Sequence, residues 1–160
     1  MADFEFKDNS LQIKVEINEA LVAFLVEAAG EIVSQTQRNS RVDTGQTKGS
    51  YEYIISRDEL KAVIGSQMEN AIWEEFGTGE YALNGDGRKT AWYVPCENYE
   101  GRKKPTYQGK VTIVFGKDKK TFYKTDGKKP NRPLYKASEK VKPNLQKALE
   151  NKMKGVGGSD

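Results

Sequence analysis

Residues 18–38 read NEALVAFLVEAAGEIVSQTQR. Leu21, Leu25, Ala28, Ala29, Ile32 and Val33 recur at steps of three and four, and Val22 and Val26 widen the stripe. That spacing lays apolar side chains along one face of a 3.6-residue helix. With Asn18 as its N-cap, the segment predicts an amphipathic helix of about 30 Å. A stripe that broad is a core face, and the rest of the fold must cover it.

Outward from this helix the pattern changes period. Upstream, Leu11-Gln12-Ile13-Lys14-Val15-Glu16-Ile17 alternates apolar and polar and predicts a short half-buried strand, with residues 1–10 as a flexible arm. Downstream, residues 51–56 and 60–65 predict two strands, joined by Arg57-Asp58-Glu59 as a hairpin. Residues 68–76, MENAIWEEF, predict a brief helix stopped by Gly77 and Gly79. Ile72, Trp73 and Phe76 are expected to place apolar bulk on one side of it, a face that either buries in the core or meets a partner, with Glu74 and Glu75 outside or partly so. Asn84-Gly85-Asp86-Gly87 is a turn signal. Strands are expected at 91–94 and 110–115, with 119–123 pairing back on the second. Pro133 opens a helical segment over 134–142, and Pro143 starts a second one reaching Met153.

The result is one α+β domain: the long N-terminal amphipathic helix packs on an antiparallel sheet, and a helix closes the chain. Its folded part is expected to span 11–153, with mobile loops near 77–90 and 99–132 and a flexible tail at 154–160. At 160 residues the chain is long enough to bury one moderate core.

Composition narrows the chemistry. The chain has 36% apolar and 31% charged residues, and no apolar run approaches the roughly 18 residues of a membrane span. The opening MADFEFKDNS lacks a secretory pattern, so the chain is expected to stay where it is made. Cys96 is the single cysteine and histidine is absent. Internal disulfides are thereby excluded, as are thiol-rich metal cages and the residue most used as a general base near neutral pH. Charge is divided between the halves. Residues 1–80 carry 7 Lys and Arg against 15 Asp and Glu, a net of −8, and residues 81–160 carry 19 against 8, a net of +11. The halves either neutralise one another inside the fold or give the molecule unlike faces suited to head-to-tail contact.

Asp43-Thr44-Gly45 is the tripeptide with which aspartic proteases hold a catalytic carboxylate, and Ala62-Val63-Ile64-Gly65 has the apolar-apolar-Gly form that supports such loops. Here, however, the tripeptide follows a polar helix end rather than a buried strand. Too few residues separate it from Gly65 for the strands and flap of that fold. Asp43 and Thr44 are instead expected to form an Asx-type turn, with Gly45 at positive φ.

Three blocks in order carry a resemblance: Val42-Asp43-Thr44-Gly45, then Glu75-Phe76-Gly77-Thr78-Gly79, then Asn131-Arg132-Pro133-Leu134 ahead of a C-terminal helix. Together they resemble the neck or tail-completion family of long-tailed bacteriophages, over roughly residues 15–153. Gln46-Thr47-Lys48 and Ala71-Ile72-Trp73 depart from that family's usual residues, and the stretch 80–130 is longer than its minimal version.

The resemblance implies a non-enzymatic structural protein of the virion head-to-tail junction, present in the host cytoplasm during assembly. Expected partners are copies of itself in a ring and neighbouring neck proteins of the head-closure, tail-terminator or tail-tube kinds. No cofactor, metal, membrane or small-molecule substrate is expected. Interface candidates are Asp43, Thr44, Gly45, Trp73, Glu74, Glu75, Phe76, Gly77, Thr78 and Gly79. Lys117, Lys119, Lys120, Lys124, Lys128, Lys129 and Arg132 form a basic run expected to be a solvated loop, with DNA or an acidic neighbour as its candidate contact. A nucleic-acid-binding module using the basic second half is the alternative function, and a dimeric aspartic protease the remote one.

Overall fold

The computed structural model describes residues 10–42, 44–96, 109–115, 118–154 and 156. In order these form α1 (Ser10–Asn39), α2 (Gln46–Gly49), β1 (Tyr51–Ser56), β2 (Lys61–Ser66), α3 (Glu69–Phe76), a 3-10 turn (Gly79–Tyr81), β3 (Trp92–Pro95), β4 (Gly109–Phe115), β5 (Asp118–Thr125) and α4 (Pro133–Met153). The architecture is α+β. A long N-terminal helix lies on an antiparallel strand pair, and a C-terminal helix closes the chain.

At 30 residues α1 is about 45 Å long, because it absorbs the strand expected at 11–17. No Gly or Pro interrupts the chain from Ser10 to Ala29. None of the described strands pairs with this segment, so a strand there would leave its backbone groups unpaired, whereas a helix bonds its own. Asn18 is therefore an exposed mid-helix residue, not a cap. The alternating Leu11, Ile13 and Val15 are all exposed.

The second half of α1 carries the core. It packs against α4 through small or branched side chains, with Ala29, Ala137 and Val141 all buried. Side-chain bonds fix the direction. Asn39 Nδ2 donates to Pro133 O, Lys140 Nζ to Gln35 Oε1, and Lys152 Nζ meets Glu27 Oε2. Residue numbers fall along α1 as they rise along α4, so the helices are antiparallel. Buried polar groups on this seam are bonded as burial requires: Thr36 Oγ1 donates to Ile32 O at 2.7 Å, and Gln35 Nε2 to Glu31 Oε1 at 2.8 Å.

The β1–β2 hairpin covers another flank of α1, with Tyr53 against Gly30 and Arg57 at its tip beside Glu19, Val22, Ala23 and Val26. On its outer face the cross-strand partners Ile54 and Val63 stay exposed. The other three strands form a separate antiparallel sheet in the order β3-β5-β4. The strands thus divide between two sheets, and only the hairpin packs extensively on α1.

α4 runs unbroken through Pro143, where two segments were expected. Proline removes an N–H and crowds the preceding turn. Pro143 lies on the exposed side, while Ala137 and Val141 before it and Leu145 and Ala148 after it line the α1 seam with Phe24 and Ala28. Packing on both sides of the proline holds the helix together. Replacing Pro143 with Ala restores the missing bond without touching the seam, so a stability gain of about 1–3 kcal/mol is expected in urea unfolding followed by circular dichroism. An unchanged or lowered midpoint would show that the proline is not strained here.

Candidate functional site

The second and third sequence blocks meet at the junction of α3 and α4. Helix α4 starts without help from its own N-cap residue. Arg132 is left-handed, φ 56° and ψ 52°, and makes no side-chain capping bond. The first amide groups of a helix still need acceptors. Glu75, at the end of α3, supplies them: its Oε2 accepts from Leu134 N–H at 2.9 Å and its Oε1 from Tyr135 N–H at 3.0 Å. A carboxylate at this end also complements the helix dipole.

Glu74 makes the second tie. Its carbonyl accepts from Asn131 N–H at 2.8 Å and Arg132 N–H at 3.1 Å, and its carboxylate pairs with Lys128 Nζ. Glu74 is only 4% exposed. This corrects the expected place of Glu74, which is inside, while Glu75 is partly exposed as expected and the apolar face is not in the core. Ile72, Trp73 and Phe76 are 57%, 45% and 45% exposed, while Ala71 and Glu74 face inward. The reason is geometric: once both carboxylates are committed to 128–135, the large apolar side chains are carried outward.

Beyond α3 the backbone continues the joint. Gly77 ends the helix at φ 74°, and a Cβ there would stand 2.8 Å from Lys128 O and Pro130 Cδ. Both the conformation and the close approach need glycine. Thr78 N–H donates to Lys128 O, Lys128 N–H to Thr78 Oγ1, and Glu80 N–H to Asp126 O. Residues 126–132, expected to be part of a solvated loop, are therefore bonded along much of their length.

The first block joins through residues just before it. Asn131 Nδ2 donates to Asn39 O at 2.7 Å, and Arg41 Nη1 to Lys129 O at 3.1 Å. Asp43 lies outside the described residues. Thr44 and Gly45 turn the chain into α2: Thr44 Oγ1 accepts from Gln46 N–H, and Gly45 has φ 89°. Asn39 and Arg41 escaped sequence reasoning because polar residues at a helix end look like solvated fraying.

Tyr51, at the start of β1, is buried beside this joint. Burial, and then the charges of Glu75 and Glu74, raise its pKa above the usual 10.0, while the adjacent Ser40 hydroxyl opposes the shift. Ser40 gives its own proton to Thr36 O. The geometry between Tyr51 and Ser40 falls short of a hydrogen bond, so Tyr51 Oη and Glu74 Oε2 are buried without a bonding partner among the described residues.

The basic run divides. Lys117 lies outside the described residues, and Lys119, Lys120 and Lys124 belong to β5. Lys128 is held by Glu74, Lys129 Nζ lies 5.4 Å from the Tyr81 ring centre, and the Arg132 guanidinium stacks at 3.6 Å over Tyr135. Among the described residues, no three Cys, Asp or Glu side chains gather where they could hold a metal. The joint's carboxylates serve as acceptors for backbone amides and as a partner for lysine. Compared with known proteins, the chain matches no family model, no curated protein and no solved structure.

Two substitutions test this geometry. Glu75→Ala removes both acceptors at the start of α4 and should cost about 1–2 kcal/mol in chemical unfolding, with Glu75→Gln losing less because one oxygen remains. Equal stability for all three proteins would deny Glu75 the capping role. Tyr51→Phe deletes a hydroxyl that has no bond to lose, so stability at neutral pH should hold or rise. Because the native pKa is raised, the folded chain keeps a proton that the unfolded chain releases. Stability therefore falls as pH climbs past 10.0 toward the native value. The variant should flatten that alkaline decline relative to the parent, and identical pH profiles would contradict the assignment.

Proposed function

We propose that this chain is a non-enzymatic structural protein of the phage head-to-tail junction, which assembles with copies of itself and with neighbouring neck proteins. One observation carries the reading. The joint built from the second and third family-like blocks turns Ile72, Trp73 and Phe76 outward on a short helix whose inner face holds a carboxylate. The isolated monomer gains the cap on α4 from this arrangement, but leaves three large apolar side chains in water. Exposed aromatic anchors beside a braced backbone suit a surface that another protein buries, where a few large side chains supply most of the binding energy.

On this reading the joint supplies rigidity and the outward face supplies adhesion. Thr44 and Gly45, seated in a local turn, favour the turn-forming role of the Asp-Thr-Gly tripeptide. The unlike charge of the two halves adds orientation to the contact, since opposed patches select a docking direction more than they add affinity.

Trp73→Ala and Phe76→Ala should leave monomer stability within about 1 kcal/mol, because both side chains are already half in water. Both should sharply reduce self-association in analytical ultracentrifugation and the yield of infectious particles. Full association and full yield in both variants would remove this function for the face.

A further inference from the structure

We propose that the outward face of α3 receives the N-terminal end of α1 from a second copy of this chain, with Lys14 of one copy set against Glu69 of the other. The inference rests on the reading of α3 as an adhesive surface and names what covers it.

Helix α1 is longer than the elements that pack on it. Lys152, in the last turn of α4, meets Glu27, and Arg57 at the hairpin tip lies beside Glu19, Val22, Ala23 and Val26. Ser10 to Asn18 thus form about 13 Å of helix beyond these contacts. On this projection Leu11, Lys14, Val15 and Asn18 follow steps of three and four, so they share one face. All four are exposed, Leu11 at 78% and Val15 at 57%. Glu16 and Glu19 lie on other sides of the helix, where Gln12 donates to the Glu16 carboxylate.

Helix α3 offers the counterpart. Glu69, Ile72, Trp73 and Phe76 have the same spacing, form its outward face and are all exposed. Leu83 extends the patch: its N–H donates to Phe76 O and its side chain is exposed. Glu69 is the carboxylate of this face, since Glu74 and Glu75 are turned to Lys128 and to the start of α4. Glu80, also exposed, adds to the negative field. No Lys or Arg occurs from Ala62 to Gly87, and the cations of the adjoining segment, Lys128, Lys129 and Arg132, are engaged by Glu74, Tyr81 and Tyr135. Each face therefore sets one charge among apolar side chains, and the two signs are opposite. Such a pair fixes the register while the aromatic and aliphatic groups supply the burial.

The chain cannot make this contact with itself. Helix α3 is tied to the start of α4, beside Asn39 at the end of α1, and about 40 Å of helix separate Asn39 from Leu11. A second copy must supply the projection, so the contact runs head to tail. Because it joins unlike surfaces, repetition closes a ring where the rotation allows and otherwise extends a filament.

The test is analytical ultracentrifugation of the full chain over a range of concentration. Lys14→Glu and Glu69→Lys each bring like charges together and should weaken self-association at least about tenfold. An equimolar mixture of the two variants should recover it, because the projection of each then meets an opposite charge on α3 of the other. A variant that had lost its fold would not be rescued in this way. Leu11→Ala combined with Val15→Ala should weaken association to a similar degree, with the far-ultraviolet circular dichroism unchanged. The inference is overturned if the charge variants associate like the parent, if their mixture fails to recover, or if the parent stays monomeric. Should Trp73→Ala and Phe76→Ala lose association while the α1 variants keep it, α3 remains adhesive and this contact fails, so the two readings fail separately.

Discussion

The need to terminate α4 organises much of this structure. A 21-residue helix begins at Pro133 with no side chain of its own to receive its first amides, and such groups cannot be left unbonded where the helix end is covered. Glu75 meets that need from 59 residues away in sequence. Once its carboxylate is spent there, α3 has a fixed rotation and Glu74 must point inward. Burying a carboxylate is unfavourable without a partner, which Lys128 provides from the same segment that leads into α4. Each commitment follows from the one before it, and the outward turn of Trp73 and Phe76 is their joint result.

This dependence explains which parts of the molecule were legible in the sequence. Helix 18–38 could be read because its stripe is answered by a real core, with Ala29 buried where α1 packs on α4, as are Ala137 and Val141 of α4. The hairpin and the β4–β5 pair could be read because β-branched and aromatic runs bounded by turn residues need only their immediate neighbours. The segment 11–17 was misread because alternation is equally compatible with a helix surface, and only the lack of a pairing strand among the described residues decides between them. Pro143 misled for a similar reason: the local penalty is real, but contacts on either side override it.

Within the site the division is sharper. Gly77 and Gly79 were recognisable as a stop and a turn, since positive φ leaves a compositional mark. The choice between core and partner for the apolar side of α3, and the burial of Glu74, were not, because no local signal announces that two adjacent carboxylates have distant amides and a lysine to satisfy. Beyond the strand expected at 119–123, the basic run 117–132 read as a solvated tract because charge has no period. In the fold it serves three ends: β5 displays Lys120 and Lys124, Lys128 neutralises a buried carboxylate, and Arg132 accepts a left-handed backbone while stacking on Tyr135.

The three-stranded sheet is attached through the same joint. The join is made by main chain against main chain: a Cβ on Gly79 would lie 2.2 Å from Asp126 O, and one on Gly127 would lie 2.1 Å from Thr78 O. A seat of that kind depends on backbone shape and on glycines that leave room for the main chain and for the Trp92 ring. The joint likewise lets α3 carry exposed aromatics without loosening the core. The backbone beneath α3 is held within the chain itself, so a contact made there would not have to order it and would lose less energy to conformational entropy.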